Sequence, residues 1–81
     1  MKLFTLRRLV DKYSIEQLKQ AEFEIIQEKD LNIELDGDDQ SDMLSTVITA
    51  VWIREDIQNR GVGFREALGE YSKKMRVSIE A

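Results

Sequence analysis

The chain has 81 residues, with no cysteine, no histidine and no proline. Disulfide staples, His or Cys metal sites and Ser-His-Asp or Cys-His catalysis are therefore ruled out. A net charge of −4 opposes a generic role on phosphate backbones. With 42% hydrophobic and 35% charged residues the composition is that of a folded globule.

Leu3 to about Asp11 reads as a first helix. Leu3, Leu6, Leu9, Val10 and Tyr13 share one face at helical spacing, and Phe4 points the other way. Arg7 and Arg8 interrupt any apolar run there, so no signal peptide is expected. Ser14 reads as an N-cap, and Gln17 three residues later completes a capping box. A second helix should follow from Ile15 to about Lys29, with the stripe Ile15, Leu18, Ala21, Ile25 and Ile26. Phe23 lies off that stripe.

Leu31 to Leu35 alternates apolar and polar residues, so it reads as a short extended segment. Three placements stay open for it. It could pair with its counterpart in a second subunit, pair with Val77-Ser78-Ile79, or lie over the core as a simple connection. The acidic stretch Glu34, Asp36, Asp38, Asp39 and Asp42 fails the calcium-loop pattern, because Met43 stands where the bidentate glutamate belongs. Helix capping is the better account of it.

A long helix from about Asp39 to Arg60 contains the most apolar run, Val47 to Ile53, and should be the buried centre. That run is far too short to span a bilayer, which needs about 20 apolar residues. Gly61 should close the helix as a left-handed cap, and Gly63 can start the next. Phe64 to about Ser78 forms the last helix, with the stripe Phe64, Ala67, Leu68, Tyr71, Met75 and Ile79. Tyr71 should keep its hydroxyl at the surface. Gly69 lies away from the stripe and costs about 1 kcal/mol relative to alanine. Gly61-Val62-Gly63 is a turn between helices and not a nucleotide loop, since Glu66 stands where a third glycine would be.

Two sets of residues are candidates for function. Phe4, Phe23 and Val77 fall outside the stripes, and clustered together they would form an interface. Lys2, Arg7, Arg8 and Lys12 near the start and Lys73, Lys74 and Arg76 near the end are basic clusters. Side by side they would suit an acidic partner. No aromatic residue interleaves with them to stack bases. Paired carboxylates of the glycosidase kind are conceivable, but a small helical domain has little room for a cleft.

Several stretches resemble a family of short bacterial proteins of unknown function. They are Met1-Lys2-Leu3 with Leu9-Val10, then Ser14-Ile15-Glu16-Gln17-Leu18 and Ile33-Glu34-Leu35-Asp36-Gly37-Asp38. Ala50-Val51-Trp52-Ile53 and the run Gly61 to Ser72 complete the likeness. The resemblance implies a bacterial, cytoplasmic setting and no catalytic residue or ligand.

The expectation is a single all-α domain over residues 1–81. It is a compact four-helix domain around a central hydrophobic helix, with a short extended segment before it. It should act without catalysis, metal or cofactor as a protein-interaction or assembly module, as a homodimer or with another protein. No membrane contact is expected. The alternative is a regulator touching nucleic acid through the basic clusters.

Overall fold

The computed structural model describes residues 2–28 and 40–75. Four helices account for most of them: α1 (Leu3–Lys12), α2 (Ile15–Ile26), α3 (Gln40–Arg60) and α4 (Phe64–Met75). α1, α2 and α4 each pack against α3, so the fold is all-α with α3 at its centre. Leu31–Leu35, the acids from Glu34 to Asp39, Arg76, Val77 and the segment Val77-Ser78-Ile79 lie outside the described residues.

The core follows the stripes. Leu6, Leu9 and Val10 meet Leu18, Ala21 and Ile25 around Val47, Ala50 and Ile53, and Ala67 and Tyr71 close it from α4. Each fully buried aliphatic side chain is worth about 1.5–3 kcal/mol relative to its exposed state. α3 is not enclosed on every side. Ile48 is 45% exposed and Trp52 half-buried, so one strip of the helix faces outward. Three neighbours supply stripes for one side only.

The corner between α1 and α2 is built as the spacing predicts. Gln17 N–H donates to Ser14 Oγ at 3.2 Å, and Ser14 N–H donates to Gln17 Oε1 at 2.9 Å. Such a cap contributes about 1 kcal/mol. The end of α2 comes earlier than Lys29. Glu28 takes φ 57°, and its N–H returns to the Ile25 carbonyl at 3.1 Å. Gln40 Nε2 donates to the same carbonyl. The last turn is thus capped by a chain reversal, and Ile26, at the edge of the stripe, is 56% exposed.

Small polar residues enter the middle of α3 because the helix satisfies them. Thr46 Oγ1 donates to the Asp42 carbonyl at 2.9 Å. Thr49 Oγ1 lies 2.8 Å from the Ser45 carbonyl and 2.9 Å from Tyr71 Oη. A threonine hydroxyl has one proton, so it donates to the carbonyl and accepts from the tyrosine. The Tyr71 hydroxyl is therefore interior, with the residue 8% exposed, and not at the surface as its stripe suggested. α3 stops at Gly61, whose φ of 68° is left-handed and whose N–H reaches the Ile57 carbonyl at 2.9 Å.

Candidate interaction surface

α1 turns its unburied side toward the start of α4. Leu3, Phe4, Arg7, Arg8, Asp11 and Lys12 line an open groove of about 690 Å³ along α1. A second groove of about 480 Å³ runs between α1 and α4, lined by Leu3, Arg7, Phe64, Arg65, Leu68, Gly69 and Ser72. Leu3 and Arg7 belong to both, so the two form one continuous surface. Its floor is apolar and its edges carry Arg7, Arg8, Lys12 and Arg65, with Asp11 as the one described acid among them.

Phe4 is the most conspicuous member, at 74% exposure. Its position follows from helix geometry: Thr5, Leu6, Leu9 and Val10 take the inner side of α1, which leaves Phe4 outward. Two arginines sit over aromatic rings. Arg7 Cζ is 5.2 Å from the Phe64 centroid, and Arg8 Cζ is 6.0 Å from that of Phe4. Each contact contributes about 0.5–1 kcal/mol at an exposed site. Arg7 also reaches Asp11 at 3.4 Å, a solvent-exposed pair of small weight. The aromatic side chains therefore do interleave with the basic ones, contrary to the linear reading. Phe64 is distant in sequence and joins them only through the fold.

Of the second basic cluster, Lys74 turns to the side of α4 away from Arg7. Lys74 lies 3.7 Å from Glu70 and 5.7 Å from the Trp52 ring, on the α3 side of α4. Arg65 is the α4 cation that comes beside Arg7. Nine residues separate Arg65 from Lys74, about two and a half helical turns, which puts them on opposite sides. Lys73 is exposed and lines neither groove, and Arg76 is outside the described residues. Phe23 is half-exposed on α2 and lines neither groove, so it does not join Phe4. Arg65 and Gly69 were missed as site residues, although Arg65, Gly69 and Ser72 at i, i+4 and i+7 do mark a common face.

On the far side of α4 the electrostatics are self-contained. Arg60 donates to both Asp56 oxygens at 2.6 Å, and that hydrogen bonding holds the carboxyl below its ordinary value of 3.8. Lys74 adds a smaller pull in the same direction. A buried acid, Glu24, is 6% exposed on α2 and accepts from Gln20 Nε2 at 3.5 Å. Among the described residues no helix is long and apolar enough to cross a membrane.

Comparison with known families finds a match between residues 1–80 and the model of a family of unknown function. Neither a curated protein nor a solved structure matches the chain significantly.

Proposed function

The chain belongs to that family, DUF6952, and since the family's function is unknown we propose, from the surface between α1 and α4, that this is a non-catalytic protein-interaction module. The observation that carries the proposal is Phe4, 74% exposed at the edge of an apolar groove and flanked by Arg7 and Arg8. An aromatic anchor with arginine beside it is the composition of binding hot spots. The absence of histidine and cysteine supports a binding role over a catalytic one. The bacterial, cytoplasmic setting implied by the family resemblance is part of the same proposal. So is self-association, for which the half-exposed Phe23 and Ile26 on α2 are the best-placed side chains.

The test is site-directed crosslinking in the native host, with a photoreactive phenylalanine analogue at Phe4 or, as a control, at the exposed Gln58 on α3. A discrete protein adduct from position 4 and none from position 58 supports the reading. No adduct from position 4 rejects it. An adduct of twice the chain's mass would identify the homodimer, and sedimentation that finds only monomer at high micromolar concentration would remove it.

A second reading, contact with single-stranded nucleic acid, draws on the Arg8–Phe4 and Arg7–Phe64 pairs. The net charge of −4 weighs against it. Failure to bind an oligonucleotide at low salt would end it.

A further inference from the structure

Nothing among the described residues gives Gly69 a reason to be glycine. It sits in the interior of α4, where glycine costs stability relative to alanine. A Cβ built on it would meet none of the described residues within 4 Å, and its φ is not in the left-handed region. Neither crowding nor backbone conformation requires it. What distinguishes the position is that it lines the groove between α1 and α4, with Leu68 and Ser72 beside it and Arg65 one turn before. A missing side chain on the wall of an open groove lets another backbone come close.

The charges of the same groove restrict what can approach. Among the described residues Arg7 and Arg65 line it and no carboxylate does, Asp11 reaching Arg7 only from the neighbouring groove through a solvent-exposed pair, in a chain whose net charge is −4. A second copy offering the same face would set Arg7 and Arg65 against their own counterparts, and like charges so placed are repulsive. Symmetric self-pairing on this face is thereby disfavoured. The apolar floor of Leu3, Phe64 and Leu68 asks for an apolar stripe, and the rim asks for carboxylates.

We propose that the groove between α1 and α4 docks an amphipathic helix of another protein, with its apolar stripe on Leu3, Phe64 and Leu68, its flanking carboxylates on Arg7 and Arg65, and its backbone passing over Gly69. The proposal rests on the interaction-module reading and names the partner's chemistry. It belongs to the helix-in-groove mode of recognition.

The test uses the full chain and a fluorescein-labelled synthetic helix with leucines at i, i+3, i+4 and i+7 flanked by glutamates. A second peptide keeps the leucines and replaces the glutamates by lysines. Anisotropy at low salt should show the glutamate helix bound at least about tenfold tighter than the lysine helix, with affinity falling as salt rises. Gly69→Ala should raise the thermal midpoint by about 4–8 °C, as removal of a helical glycine does in a domain of this size, yet weaken peptide binding several-fold. Gly69→Leu should abolish binding while the chain stays helical by circular dichroism, and Gln58→Ala at the exposed end of α3 should leave binding unchanged. Equal binding of the two peptides, binding of neither, or wild-type affinity in the folded Gly69 variants would overturn the proposal. So would a single-stranded oligonucleotide that binds where the glutamate helix does not. If the peptide fails while the Phe4 crosslink persists, the groove assignment falls and the module stands. If both fail, both fall.

Discussion

The Thr49–Tyr71 hydrogen bond shows how a single hydroxyl ties two helices. Tyr71 reaches from α4 to Thr49, which accepts its proton and is itself held in place by the Ser45 carbonyl. Tyr71→Phe keeps the ring against Trp52, at 5.2 Å between centroids, and removes the bond alone. Stability should fall by about 1 kcal/mol, read as a lower urea midpoint with unchanged slope. Asp56 makes the contrasting case at the solvent edge. Its carboxyl is held below 3.8 chiefly by the Arg60 hydrogen bond, with burial opposing. Its stabilising effect is therefore complete above its unfolded value and disappears as pH falls through the lower folded value. The wild type and Asp56→Asn should differ by a constant small amount above about pH 5 and converge below 3.8. Curves that stay parallel into strong acid would show that the pair contributes nothing.

At the level of elements, caps decide where the helices end. Gly61 is left-handed, so Gly61→Ala should cost about 1–2 kcal/mol even though the space around it is open. Gly63 has no such requirement. It holds only the carbonyl that receives Ala67 N–H at 3.1 Å, so Gly63→Ser should be neutral or stabilising. Parallel denaturation of the two variants separates backbone strain from steric effects. These features were legible in the sequence because they are local: Ser14 and Gln17 sit three residues apart, and Gly61 follows the last residue of its helix. The early end of α2 was not legible. It depends on Gln40 reaching back across the fold to the Ile25 carbonyl, and on Glu28 adopting a conformation that its residue type does not favour. The surface was half legible. Phe4, Arg7 and Arg8 stand on one short helix, whereas their neighbours Phe64, Arg65 and Gly69 are brought there by the α3–α4 turn.

At the scale of the whole molecule, a domain of this length is stabilised by only about 4–12 kcal/mol, so each of these single bonds and caps is a visible share. The share is unevenly spread. Among the described residues α1 and α2 are joined at a capped corner and add six buried aliphatic side chains to the core, whereas α4 adds buried Ala67 and Tyr71, with Phe64 and Leu68 packed against its edge. Its described attachment is the smallest, and α4 should be the first unit to open. Trp52 is the chain's single tryptophan, and what it touches on α4 is the Tyr71 ring edge and the Lys74 ammonium. The protein thus carries its own optical gauge. Undocking of α4 removes an aromatic neighbour and a nearby cation from one indole at once. Tryptophan emission should therefore shift at lower urea than helical circular dichroism declines. Anything that seats in the groove and braces α4 against α1 should close the gap between the two transitions, so occupancy can be read without a label.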